Sequence, residues 1–231
     1  MEYRVLFSRS RASKENDTMT SENGGIMDLL KDATSEQHRD AESRKLQKEM
    51  GSGHLTSEKY GAWLGQMFLL HRSLRQEIDR HGGAWPALAS VVRDEGLHVA
   101  NLRADLTALG SNAERVAALP STAGAIEAIC QASDADPLTL LGFNYVLEGS
   151  MNGNRFIARS LAQTLHVSAF SYLNPYGEEQ RPTWAAYRER MNAEEFDAGQ
   201  TEHMVRAAQR MFTYIGEMSD ELVDDPVPAS R

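Results

Sequence analysis

From Ile26 to Leu222 the apolar residues recur three and four apart wherever a segment is long enough to show a period, and they alternate over no useful length. Such spacing puts them on one face of an α-helix, whereas a half-buried strand needs a period of two. Helical faces of this kind are satisfied only by packing on one another. The predicted fold class is therefore all-α: a single compact multi-helix domain over residues 26–223, between a disordered leader over 1–25 and a disordered tail over 224–231. A chain of 231 residues supplies one sizeable core rather than two.

Punctuation residues divide the domain. A first helix is predicted from Ile26 to Met50, with Leu30, Ala33, Thr34, His38 and Ala41 on one face. After "GSGHLTSEKYG", Thr56 or Ser57 caps a second helix whose stripe is Tyr60, Leu64, Met67, His71, Leu74 and Ile78, ending at Gly82 and Gly83. Pro86 opens a short helix, "GLHVANLRADLTALG" turns Leu97, Leu102, Leu106 and Leu109 inward, and another helix spans 121–132. Asp136 and Pro137 start the long helix containing "YVLEGSMNGNRFIARSLAQTL". A loop with slight strand character follows, then "TWAAYRERMNAEEF" and "QTEHMVRAAQRMFTYIGEMSDELV" as two last helices.

The formal charge of −9 argues against a general nucleic-acid or anionic-membrane binder, while leaving room for a small anionic ligand held by local arginines. Cys130 stands alone, so an intramolecular disulfide or thiolate metal cluster is excluded and a reducing cytoplasm fits. No window has the length of a membrane span. "MEYRVLFSRSRAS" lacks the apolar core of a secretion signal, and the polar run before Met27 reads as a leader or as sequence upstream of the true start, with organelle targeting the weaker reading.

Three features carry chemistry. His38 has Glu42 one helical turn on, the arrangement in which a carboxylate fixes one imidazole nitrogen and leaves the other for a metal; the alternative is a core histidine satisfied by its neighbour. Gly149 and Gly153 stand a turn apart inside a helix, at about 1 kcal/mol each relative to alanine. Bare backbone there would let a flat ligand lie on the helix, or would serve close helix packing. His71 reads first as a satisfied core histidine and second as part of a water network; His98 with Glu95 gives a Glu-x-x-His spacing that lacks the second copy a di-iron site needs.

In combination these segments resemble the haem oxygenase family, nearly throughout Leu29 to Leu222. "LLKDATSEQHRDAE" is similar to the family's proximal helix, "ANLRADLTALG" to its mid-chain Leu-Asp-Leu segment, "YVLEGSMNGN" to the distal-helix motif of many bacterial members, and "YRERMN" to its arginine segment. The resemblance implies haem between a proximal helix and a kinked distal helix. It assigns His38 as axial iron ligand and Glu42 as its orienting partner. Arg188 and Lys31 become propionate anchors and Phe212 a haem-edge contact, while Gly149, Ser150, Asn152 and Gly153 form the distal surface where oxygen and ordered water are managed.

It further implies haem b as substrate and cofactor, O2, and electrons from an external ferredoxin or reductase, since no GxGxxG follows a strand. The implied products are biliverdin, carbon monoxide and ferrous iron, with a biliverdin-accepting photoreceptor as one downstream partner. This sequence departs from the family at Ser150, commonly Asp, and at Asn154, commonly Gly; Trp184 and Ser35 stand where some relatives hold propionate-binding lysines. Serine holds a water but carries no charge. Two other readings stay open: a haem-binding protein of this fold without turnover, and a non-haem di-iron oxidase on it.

Overall fold

Thr34 and Arg44 divide the first predicted helix into three. The computed structural model describes residues 25–224, so the predicted leader and tail lie, but for a residue at each edge, outside the described residues. In it α1 (Ile26–Ala33), α2 (Ser35–Ser43) and α3 (Lys45–Ser52) follow one another. The Thr34 hydroxyl donates to the Leu30 carbonyl at 2.7 Å and competes with the helix for that acceptor. Arg44 is extended, φ −62° and ψ 147°, and its guanidinium bridges Asp40 to Asp220 on the last helix. A distant carboxylate therefore sets a break that apolar spacing alone does not reveal.

The second helix is close to expectation. α4 (Ser57–His81) is capped by Thr56, whose hydroxyl accepts from the Lys59 amide at 3.3 Å, and its predicted stripe is buried throughout. α5 (Pro86–Val91), α6 (Val99–Ala108), α7 (Pro120–Ala135) and α8 (Leu140–Ala162) follow, with Asp136 capping the turn that leads into α8. α9 (Gln180–Ala193) and α10 (Ala198–Asp224) close the chain. The stretch after α8 is irregular, without the strand character expected of it; the Asp105 carboxylate pins it by accepting from the Ser171 and Tyr172 amides at 3.0 and 2.8 Å.

The core forms where α4, α7, α8 and α10 pack together, with Phe68, Phe143, Tyr60 and Tyr172 among its largest buried side chains. α10 lies against both α8 and α2, so it joins the helix that carries His38 to the helix that carries the glycine pair. A Cβ at Gly142 would overlap the Met204 carbonyl. Close backbone approach between α8 and α10 is thus the role of Gly142, and not of the Gly149–Gly153 pair.

Among the described residues no helix is long and apolar enough to cross a membrane.

Candidate functional site

α2 buries little. Ala41 is its one buried residue, and His38, expected on the inward face with Leu30 and Ala41, leaves half of its side chain in solvent. The turn at Thr34 rotates α2 relative to α1 and carries the imidazole outward, which rules out the core-histidine reading. Two contacts orient the ring. Phe212 on α10 meets it edge-on, centroids 5.3 Å apart at 78°, and Glu42 Oε2 lies 3.5 Å from Nδ1. That distance is long for a hydrogen bond, so Glu42 biases the ring chiefly by charge. Nε2 has no protein partner among the described residues.

The predicted glycine face is bare. A Cβ at Gly153 would meet nothing within 4 Å, and one at Gly149 would meet only Trp184, at 3.4 Å. One turn beyond lies Phe156, 54% exposed with the Arg155 guanidinium 4.8 Å from its ring centroid, so the stripe runs from naked backbone into a half-exposed aromatic ring flanked by cations. α8 is helical without interruption, so the expected kink is not a break in its ladder. Instead the Ser150 hydroxyl donates to the Leu147 carbonyl at 2.7 Å and the Asn152 amide to the Gly149 carbonyl at 3.0 Å, bonds that bend a helix while leaving it intact.

The departures from the family pattern resolve individually. Asn154 is buried, its amide 3.5 Å from Ser150 Oγ, so it turns into the core and adds no bulk to the glycine face. Trp184 stacks on Tyr187, centroids 5.3 Å apart at 13°, and walls the Gly149 end with an aromatic surface instead of a cation. Arg188 pairs with Asp28 at 3.2 Å, both half-exposed, and exposed Lys31 lies one turn beyond Asp28 on α1. Ser35 is exposed. The cationic edge thus consists of Arg188 and Lys31, with one acidic residue between them.

A buried polar group escaped the sequence reading. His98 Nε2 lies 3.0 Å from Glu148 Oε2, and His71 Nε2 lies 3.0 Å from the Tyr172 hydroxyl. His98 therefore takes Glu148 from α8 as its partner, which explains it without a metal; among the described residues no group of three or more His, Cys, Asp and Glu side chains could hold one. The available signal was Glu148 itself, a carboxylate on the apolar face shared with Leu141, Asn144 and Met151.

Burial, and after it the neighbouring His98, pushes the His71 pKa from 6.5 to about 3. The unfolded chain takes up that proton near pH 6.5 and the folded chain does not. The resulting stability is complete above about pH 6.5 and is lost as pH falls toward 3. A His71→Gln variant retains a polar partner for Tyr172 without titrating, so its urea midpoint is expected to fall less than that of the parent between pH 6.5 and 4.

Comparison with known proteins follows the same lines. The sequence matches the family described as "Heme oxygenase" over residues 25–221. It is 24% identical over 218 residues to heme oxygenase 2 of Mus musculus, covering 90% of this chain and 68% of that protein. The fold is similar to that of heme oxygenase-1 of the cyanobacterium Synechocystis, solved in complex with heme, with a TM-score of 0.78 at 20% identity over 86% of this chain and 92% of that one. Heme oxygenase from Leptospira interrogans gives a TM-score of 0.78 at 18% identity over 86% and 100% of the two chains.

Proposed function

This chain belongs to the haem oxygenase family, and we propose that it cleaves haem oxidatively to biliverdin, carbon monoxide and ferrous iron, using O2 and electrons from an external ferredoxin or reductase. The observation that carries this reading is the half-exposed His38 imidazole, oriented by Phe212 and Glu42 with Nε2 unengaged, in a molecule whose α8 presents bare backbone at Gly149 and Gly153. An imidazole donor, a face without side chains and a cationic edge are what an iron porphyrin dicarboxylate requires.

Haem when bound supplies the redox chemistry; the protein's own residues position it. His38 would hold the iron through Nε2, with Glu42 favouring the tautomer that carries hydrogen on Nδ1. Arg188 and Lys31 would hold the propionates, and the exposed pair that Arg188 makes with Asp28 would compete with that contact. Gly149 and Gly153 would let main chain approach the ring, and Trp184 and Phe212 would cover its edges. The Ser150 and Asn152 side chains donate to the helix's own carbonyls, and their oxygens, Asn152 Oδ1 already accepting from Gln180 Nε2 at 3.2 Å, would hold water without charge through their remaining lone pairs. We place the reaction in a reducing compartment such as the cytoplasm. The tetrapyrrole product would pass to an acceptor, for which a biliverdin-binding photoreceptor is one candidate.

The experiment is a hemin titration of the full chain, followed by reductant in air. A Soret band that bleaches into a biliverdin absorption supports the reading. A stable Soret band favours the haem carrier suggested by Ser150, and no Soret band defeats both.

Two substitutions test the site's parts. Gly153→Ala adds a methyl group where nothing lies within 4 Å, so the haem-free protein is expected to gain about 0.5–1 kcal/mol in urea denaturation while haem turnover slows several-fold. Asp28→Asn removes the carboxylate that competes for Arg188. Hemin is expected to bind about two- to fivefold tighter, the range of an exposed ion pair, and by a smaller factor in high salt as measured by Soret titration.

A further inference from the structure

Behind α8 lies a polar cavity that the proposed haem contacts do not use. It measures about 170 Å³ and is bounded by α8, α9 and the turn at 92–96. Asn144 and Glu148, one turn apart on α8, line it; at about 100° per residue the Gly149–Gly153 face lies roughly 140° further round the same helix. From α9 the cavity takes Tyr187 and Arg190, whereas Trp184 and Arg188 do not line it.

Its floor presents acceptors. The Glu148 side chain is 4% exposed; Oε1 accepts from the Tyr176 hydroxyl at 2.8 Å, Oε2 lies 3.0 Å from His98 Nε2, and each oxygen keeps a further lone pair. Asn144 Oδ1 is buried without a protein partner among the described residues, in a residue 1% exposed. Gly96 brings the turn past this carboxylate, where a Cβ would stand 3.3 Å from Glu148 Oε2. A buried carboxylate with an unpaired amide oxygen one turn away suits an ammonium group, a compact cation with several hydrogens to donate.

The mouth presents donors and positive charge. Arg93 is exposed and Arg190 partly buried, and neither pairs with a carboxylate among the described residues; Arg190 donates its Nε proton to the Val91 carbonyl at 3.0 Å. The Tyr187 hydroxyl, in a residue 2% exposed, is buried without a protein partner among the described residues. Burial, and after it the charge of Glu148, pushes its pKa well above the ordinary tyrosine value, so it keeps its proton and requires an acceptor. Two guanidiniums and a phenol suit a carboxylate.

An unpaired buried acceptor and an unpaired buried donor in one polar cavity are satisfied by water or by a ligand that carries both kinds of group. Water answers those two atoms alone. It leaves unexplained why two arginines without a counter-charge share a cavity with a buried carboxylate in a chain of net charge −9.

We propose that the α8–α9 cavity is a binding site for a small zwitterion of the α-amino acid class, its ammonium group held by Glu148 and Asn144 at the floor and its carboxylate by Arg93, Arg190 and the Tyr187 hydroxyl at the mouth. A cavity of about 170 Å³ has room for about five or six waters at roughly 30 Å³ each, which restricts the ligand to the smallest members of the class, glycine and alanine. Bound there, the ligand ties α8, α9 and the turn at 92–96 together and stabilises the folded chain by mass action. The site stands on the haem-free geometry and on no part of the haem reading.

Thermal unfolding and calorimetric titration of the full chain without haem test this. The probes are glycine and L-alanine, acetate and methylammonium as the two halves, and L-phenylalanine as the oversized control, all at one ionic strength. Glycine and L-alanine are expected to raise the thermal midpoint with concentration and to give saturable heat at one site. Acetate, methylammonium and L-phenylalanine are each expected to bind at least about tenfold more weakly. Ala186→Leu fills the cavity from α9, leaves every charged group in place and is expected to abolish binding. Arg93→Gln and Glu148→Gln are each expected to weaken it at least about tenfold. No saturable binding of glycine or L-alanine below about 10 mM shows that the cavity holds water only and overturns the inference. Binding that survives Ala186→Leu overturns it too, as does acetate bound as tightly as glycine. Should Glu148→Gln or Ala186→Leu not fold, Arg93→Gln, at the exposed mouth, decides.

Discussion

Replacing His38 with alanine is expected to leave the fold intact and remove haem chemistry. Half of the side chain is in solvent and its contacts are the edge of Phe212 and a long pairing to Glu42, so its loss should change stability by no more than about 0.5 kcal/mol. On the proposed reading the iron, by contrast, loses its protein donor. Arg188 and Lys31 remain as propionate anchors, so some hemin still associates, with affinity at least tenfold lower and with the Soret band shifted and weakened. Turnover to biliverdin should drop at least 100-fold. Added imidazole, small enough to occupy the vacated space, should restore the parental spectrum. Unchanged hemin affinity and spectrum in this variant, with circular dichroism unchanged, would remove His38 from the site.

Gly142→Val is expected to act in the opposite sense, on the fold before the chemistry. Any Cβ there overlaps the Met204 carbonyl, and main chain cannot step aside as a flexible side chain does. α8 and α10 must separate across one of the principal packing seams of the core, with a loss of about 3 kcal/mol or more. For a domain of this size that corresponds to a thermal midpoint lowered by roughly 6–12 °C, or to insoluble protein. A midpoint within about 2 °C of the parent would show that the seam yields far more easily than its geometry indicates. Because α8 bears the glycine face and α10 bears Phe212, surviving protein should also bind hemin poorly.

These two residues mark what could be read from the chain and what could not. His38 stood out because a histidine and a carboxylate one turn apart form a local pattern, and local patterns survive the step from sequence to structure. Helix type, the α4 stripe and the Thr56 cap were legible for the same reason. Gly142 did not stand out. Its meaning depends on Met204, far along the chain, and one glycine in an apolar run announces no partner. The breaks at Thr34 and Arg44 were hidden likewise, since Arg44 answers to Asp220. His71 read as a satisfied core histidine and His98 as half of a chance Glu-x-x-His spacing with Glu95, and only the packing of α4 against α6 and α8 brings the two rings together beside Glu148. The glycine pair was open between two roles, and the open space at Gly153 argues against close helix packing there.

Ala41 seats α2 almost alone, so little apolar area resists lifting that helix from α10. The imidazole of His38 consequently rides on one of the softer parts of the molecule. A pigment held by it, as proposed above, would tether this soft part to the rest, so some of the binding free energy would go into quieting a helix rather than into tighter attachment. On the same reading, release of the iron would undo the tether, and the helix would regain its play as the opened tetrapyrrole departs.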